Sequence, residues 1–323
     1  MLYYSHMIIP PQPEYELIDS GDEMKLERYG KYTLARPDPQ AIWPRRLSPQ
    51  IWDKADVSFM RGGTGSKDGV KSESAEDKGK WIKKKHDIPD EWPISLGGIR
   101  LFTRLTPFKH TAIFPEQFDN WQWSERLIKK SIQDGKVPKV LNLFGYTGGA
   151  SIVCANAGAE VTHVDASRAA ITWAKENMLE TGLPADSIRW ILEDAVVFVR
   201  KEIKRGNRYD AIMMDPPVFG RGAKGEVWKI ERDLGPLLEL CYELLSQKPL
   251  FFILNGYASG YSATAYANNV QQLQQKFGGE VEAGELLIVE SGNFPGTDKT
   301  PGPDLSASKR YLPCGIVARW QRS

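Results

Sequence analysis

Cysteine is scarce in this chain, with three residues in 323. Cys154, Cys241 and Cys314 lie far apart, without any C-x-x-C spacing, which excludes a disulfide framework and a zinc cluster of the ribbon type. Long apolar runs are missing too: no stretch approaches the roughly 18–20 residues that a membrane-spanning helix needs. The start, Met1-Leu-Tyr-Tyr-Ser-His-Met-Ile-Ile-Pro-Pro, has neither the basic head nor the apolar body of a secretory signal. Charge of one sign is also not in excess. With 42 Lys+Arg against 41 Asp+Glu the formal charge is +1, which excludes a globally basic nucleic-acid coat but not a local basic patch. These absences predict a cytoplasmic globular protein with no structural metal.

Aromatic residues, by contrast, are plentiful. Of ten tryptophans, Trp43, Trp52, Trp81, Trp92, Trp121 and Trp123 fall in the first 125 residues, so that part is expected to pack an aromatic core of its own. The turn pairs Gly21-Asp22 and Gly30-Lys31 split its early sequence into hairpin-like segments, and Ile94–Thr106, with Gly97-Gly98, continues the pattern. Arg61–Asp87, rich in Gly, Ser and charge and containing Lys83-Lys84-Lys85, reads as an exposed, mobile loop. From about residue 125 strands alternate with helices. Lys139–Phe144, Glu160–Val164, Ile188–Leu192, Tyr209–Met214, Leu250–Leu254 and Leu286–Glu290 have the apolar runs of buried strands, and helical stretches lie between them. Arg310–Trp320 reads as a last strand, antiparallel at or near an edge. The expected fold is α/β: a Rossmann-like, doubly wound, seven-stranded and mostly parallel sheet over 125–323, preceded by a smaller β-rich domain over 1–124.

Chemistry concentrates where strands of that sheet end. Leu141-Asn142-Leu-Phe144-Gly145-Tyr146-Thr147-Gly148-Gly149-Ala150 is a strand turning sharply into a helix, where backbone N–H groups face a ligand and glycines allow close approach. A dinucleotide fingerprint needs G-x-G-x-x-G. Thr147 stands where its second glycine would let the backbone approach a diphosphate, so the turn suits a ligand without one. Asp165, followed by Ala166 and Ser167, ends the next strand, where a carboxylate can accept from both ribose hydroxyls. Asp194-Ala195 follows the third strand, placed to accept from an adenine amine. Asp215-Pro216-Pro217-Val218-Phe219 follows the fourth. Consecutive prolines hold an extended path and expose carbonyls, because they donate no N–H. Such a loop can present Asp215 to an acceptor with Phe219 as a stacking surface.

In this order the motifs resemble the class I S-adenosylmethionine-dependent methyltransferases. More narrowly they resemble the bacterial family of the 23S ribosomal RNA cytosine-5 methyltransferases and their relatives, over roughly Phe108 to Arg319. The family's Lys-Thr-Gly-x-x-x-Asp-Gln-Arg segment has its counterpart in His110-Thr-Ala-Ile-Phe-Pro-Glu-Gln117-Phe118, with Phe118 in place of arginine. The resemblance implies S-adenosyl-L-methionine as cofactor, S-adenosyl-L-homocysteine as product, and Phe114 and Gln117 closing over the methionine end.

Cytosine-5 transfer requires a thiolate that attacks the ring. The corresponding stretch here is Asn255-Gly-Tyr-Ala-Ser-Gly-Tyr-Ser262, with Ala258 at or near the cysteine position. Either methylation of a nitrogen or oxygen or a different chemistry is therefore expected, with Asp215, Asn255 and Tyr257 as orienting candidates for direct transfer. RNA is the first acceptor class, for which Lys78–His86 could contact phosphates. A small molecule or protein acceptor is the second. A non-catalytic cofactor-binding module and an NAD(P) oxidoreductase are the other readings, the last disfavoured by Thr147.

Overall fold

A computed structural model describes residues 2–61, 78–221, 227–257, 260–292 and 309–322. The chain opens on a strand the sequence pattern did not signal, Leu2–Ile9 (β1), whose partner is almost three hundred residues away. A five-stranded sheet follows: Tyr15–Gly21 (β2), Met24–Tyr29 (β3), Tyr32–Pro37 (β4), Val57–Arg61 (β5) and Gly79–Lys83 (β6), in that spatial order. Asp22 and Glu23, both at positive φ, make the tight turn between β2 and β3. Glu91–Leu96 (β7) and Ile99–Arg104 (β8) form the hairpin expected at Gly97-Gly98. The stretch 61–87 departs from the loop reading: Arg61 ends β5, and Gly79–Lys83 pairs with it as an edge strand, with Trp81 packed on Phe59 at 5.0 Å. Residues 62–77 lie outside the described residues.

The second half builds the alternating unit from Lys139–Leu143 (β9), Glu160–Asp165 (β10), Ile188–Leu192 (β11), Ala211–Met214 (β12), a small hairpin Phe219–Arg221 (β13) with Val227–Lys229 (β14), Phe251–Gly256 (β15), Glu280–Val289 (β16) and Tyr311–Gln321 (β17). Helices Gly149–Asn156, Arg168–Glu180, Ala195–Lys204, Ile230–Leu244 and Ala263–Phe277 connect them. The main sheet runs β1-β16-β17-β15-β12-β9-β10-β11. Seven of these strands are the expected ones, all parallel except β17; β1 adds an eighth, parallel to β16. The antiparallel strand is interior, between β15 and β16, because the last strand inserts rather than closing the edge.

Strands β12 and β15 are buried at every position, as a sheet covered on both faces demands. Helix Phe118–Gln133 is another element the sequence pattern did not signal. Its Trp121 and Trp123 face inward, Trp123 edge-on to Phe251 at 5.4 Å, so these tryptophans join the parallel sheet's core rather than a separate aromatic one. That core runs without a break from Tyr15, Leu17 and Leu34 to Val140, Ile152 and Phe251. The β-rich unit is also pinned by Arg310, which binds Asp19 at 2.8 Å and Glu290 at 2.7 Å.

Candidate methyl-donor site

The carboxyl ends of β9, β10, β12 and β15 meet at one edge of the sheet, where open α/β folds place their ligands. The turn after β9 is unusual in its backbone. Phe144 and Tyr146, neither a glycine, have φ of 56° and 46°, and Gly148 has 86°. Left-handed bulky residues cost of order 1–3 kcal/mol each and collect at ligand sites. Between them Gly145 lies directly over the His163 ring, so a Cβ there would stand 2.4 Å from an imidazole carbon. Gly149, the first helical residue, is pressed similarly by Trp121.

A polar triad holds the turn from below. Asn142 Nδ2 donates to Ser151 Oγ at 2.9 Å, and Ser151 Oγ lies 2.9 Å from His163 Nδ1. Ser151 Oγ thus bridges the Asn142 amide and the His163 imidazole. Nε2 has no partner among the described residues, and burial holds this ring neutral, down to about 3. The sequence reading missed His163 and Ser151, which carry no motif of their own. It also assigned Asn142 to the ligand; the amide instead faces the interior.

Asp165 accepts from the Tyr146 N–H at 2.9 Å and the Ser167 N–H at 2.7 Å, which fixes its carboxylate at the rim of the turn. Burial raises its pKa, and those two donors pull it back. Ser167 also caps the next helix, accepting from the Ala170 N–H. Asp194 caps Ala195–Lys204 through the Val197 N–H at 3.0 Å, one oxygen being used there, and Ala195 is buried in the core. Thr147 turns its hydroxyl inward to the Ala112 carbonyl at 2.8 Å, while Asn177 Nδ2 holds the Thr147 carbonyl at 2.9 Å.

Two segments converge on it. From 110–117 come Phe114, whose ring stands 5.8 Å from Tyr146, and Gln117, tied through Asn120 to Asn255. From the end of β12 comes Asp215-Pro-Pro. Trp228 of β14 packs on Phe144 at 5.1 Å and donates to the Pro217 carbonyl at 2.6 Å, so the proline loop is braced against the donor turn. Trp228 is a third residue the motif reading missed. Phe219 is 51% exposed, and burial pushes the Asp215 carboxyl up to about 6. Tyr257 stands 6.4 Å from His110. Ala258 lies outside the described residues. Burial raises every thiol: Cys154 to about 12, Cys241 and Cys314 further still. Among the described residues there is no His/Cys/Asp/Glu group fit for a metal, and no helix is long and apolar enough to cross a membrane.

A parallel sheet with one inserted antiparallel strand, a turn lacking the diphosphate glycine and a fixed acid on the next strand define a class I, Rossmann-like methyltransferase. The donor set fits such a cofactor: an anchored carboxylate for a ribose, a glycine-bearing turn that opens a helix, and aromatic rings beside it. A family described as Conserved hypothetical protein 95 matches residues 123–233. The crystal structure of a SAM-dependent methyltransferase from Agrobacterium tumefaciens superposes with a TM-score of 0.86 at 40% identity, covering 99% of this chain and 94% of that one. Ribosomal RNA large subunit methyltransferase K of Neisseria meningitidis serogroup B is 24% identical over 242 residues, 74% of this chain and 64% of its own. The K/L enzyme of Chromohalobacter salexigens is 28% identical over 310 residues, 94% of this chain and 37% of its own. The chain thus spans less than two thirds of the length of these curated relatives. It belongs to the S-adenosylmethionine-dependent methyltransferases.

Proposed function

We propose that this chain methylates a nitrogen or oxygen of an RNA base, in an rRNA-like acceptor, by direct transfer. The observation that carries direct transfer is the state of the thiols: all three are buried and raised, so none is available as an attacking thiolate. RNA as acceptor is supported by the ribosomal RNA enzymes among the relatives and by the half-exposed Phe219 at the rim, on which a base can stack. Bound S-adenosylmethionine supplies an electrophilic methyl group. In this reading Asp165 receives the ribose hydroxyls, Asp194 with its remaining oxygen faces the adenine, and the 144–149 backbone and Phe114 enclose the rest. The Asp215–Phe219 loop orients the acceptor. The β-rich unit, residues 1–124, holds the substrate against the domain at 125–323, in the cytoplasm. Incubation with tritiated S-adenosylmethionine and the RNA, protein and metabolite fractions of cells lacking the chain tests this. Label is expected in large-subunit ribosomal RNA. Label confined to the protein or metabolite fraction refutes the RNA reading.

A further inference from the structure

Beside the donor turn, five charged residues are buried together. Arg36 binds Glu27 through Nε at 2.6 Å and Nη2 at 3.1 Å, and Lys25 binds Asp38 at 3.0 Å. Two cations thus balance two carboxylates, and Tyr15 and Tyr29 donate to Glu27 as well. Glu116 is the fifth member, 7% exposed and outside every ion pair of the cluster. It sits in the single 3-10 turn Pro115–Gln117, two residues from Phe114. Its segment is fixed to the donor turn twice, by the Thr147 hydroxyl on the Ala112 carbonyl and by Phe114 against Tyr146. Tyr257, just beyond Asn255 at the end of β15, lies within electrostatic reach of it.

We propose that Glu116 is the proton acceptor of the transfer reaction, taking the proton that a nitrogen acceptor sheds as it gains the methyl group. This rests on the direct-transfer reading above. The bond balance requires such a group: as the nitrogen–methyl bond forms and the sulfonium–methyl bond breaks, positive charge passes to the nitrogen, whose N–H proton must leave. A carboxylate that is already paired is a poor sink for it, and Glu116 is the odd one of its cluster. Burial is the largest influence on it, with Lys25, its own backbone N–H and Arg36 opposing and Glu27 reinforcing, and its carboxyl is pushed up to about 7, matched to a base working near neutrality. Cys314 and Tyr257, which also lie within electrostatic reach of Glu116, are themselves raised and stay protonated. Strands β1 and β16, also packed against this turn, send Met7, Ile9, Leu286 and Ile288 into the core.

The test compares wild type, Glu116→Gln and Glu116→Asp. Carbon-13 NMR titration of glutamate-labelled protein should show one carboxyl, missing in E116Q, with a midpoint near 7; an ordinary carboxylate midpoint overturns the proposal. Turnover, read in whichever fraction takes the label, should rise with pH through that midpoint. E116Q should lose the rise and at least about 100-fold in rate while binding S-adenosylmethionine within about threefold of wild type. E116D should restore the rise. Turnover by E116Q within about threefold of wild type, a surviving pH rise, or cofactor affinity falling as far as the rate overturns the assignment. The label's location judges the RNA reading separately.

Discussion

Gly145→Ala is the sharpest perturbation of the donor turn, because one methyl group meets one identifiable ring. An ideal Cβ at 145 lies 2.4, 2.5 and 3.0 Å from Cε1, Nδ1 and Nε2 of His163. Comfortable contact between such atoms begins near about 3.5 Å, so the overlap is on the order of 1 Å. Neither side can yield easily. The turn is pinned by the Gly145 N–H on the Val164 carbonyl at 3.1 Å and the Gly148 N–H on the Gly145 carbonyl at 3.0 Å. The ring is fully buried, bonded to Ser151 and packed against Trp190 at 4.8 Å. Overpacking costs typically ~1–3 kcal/mol, and this geometry points to the upper end. Urea unfolding should show that loss, and calorimetry should show S-adenosylmethionine binding weakened by about tenfold or more, since ~1.4 kcal/mol is a factor of ten. His163→Ala alone should cost ~2–4 kcal/mol through the cavity and the stranded Ser151 hydroxyl. The double variant is the decisive arm. With the ring gone the new methyl has room, so G145A/H163A should be less destabilised than the sum of the singles by ~2 kcal/mol. Additivity within ~0.5 kcal/mol would mean that the ring does not set the need for glycine.

Three further outcomes follow from the same geometry. Arg310→Gln takes the cation from Asp19 and leaves Glu290 with the longer contact to Arg46 at 4.0 Å, the two carboxylate side chains being 1% and 2% exposed. A loss near the lower end of ~3–5 kcal/mol is expected in urea unfolding, since Arg310 itself is partly solvated, and a loss under ~1 kcal/mol would contradict the pinning role. In acid, His163 and Glu116 act in opposite senses. The unfolded chain protonates His163 below its ordinary 6.5 while the folded ring refuses until about 3, so stability is lost as pH falls through that window. Folded Glu116 holds its proton up to about 7 against an ordinary 4.5, so its contribution rises as pH falls from 7 to 4.5. Urea midpoints across pH 4–8 should therefore fall more steeply with acid in E116Q than in wild type; parallel curves would refute the assignment. Trp228→Phe keeps the packing on Phe144 but deletes the bond to the Pro217 carbonyl. Turnover should drop by up to about tenfold with cofactor affinity little changed, since a hydrogen bond is worth ~0.5–1.5 kcal/mol net; equal losses in both would place Trp228 in the donor site instead.

How much of this was legible in the sequence depended on the range of the interaction. Strands β9, β10, β12 and β15 announced themselves because burial on both faces writes a continuous apolar run, and the acids at the ends of β10 and β12 stood out against it. Strand β1 did not. Its pattern, Leu-Tyr-Tyr-Ser-His-Met-Ile-Ile, is half exposed at the sheet's edge, and only β16, remote in sequence, gives it a partner. The tryptophans misled for the same reason. Clustered in sequence, they suggested a local core, whereas Trp121 and Trp123 lie on a helix that packs against the parallel sheet. Asn142 and Thr147 lie within a ligand-binding motif, yet their side chains point inward. A motif records which residues a turn needs, without separating those that touch a ligand from those that hold the turn.

The distinction bears on where specificity is built. The supports of the donor turn come from several elements: His163, Val164 and Asp165 from β10, Ser151 from helix Gly149–Asn156, Asn177 from helix Arg168–Glu180, Trp228 from the proline-loop hairpin and Ala112 from the segment that leaves the β-rich unit. Asn177 is itself fixed by the Phe102 N–H of β8 at 2.9 Å. The β-rich unit therefore bears on the turn's shape as well as supplying the ionic cluster beside it. A substrate that moved this unit by even an ångström would alter Thr147 and Phe114 together. Acceptor binding and donor binding should then be energetically coupled, and the coupling must be reciprocal. Calorimetric titration of S-adenosylmethionine with and without saturating acceptor should show a changed affinity in wild type. The change should shrink in Asn177→Ala, which cuts the link from β8 to the turn while leaving Asp165, Asp215 and Glu116 in place. An identical shift in both proteins would show that the hairpin does not transmit it.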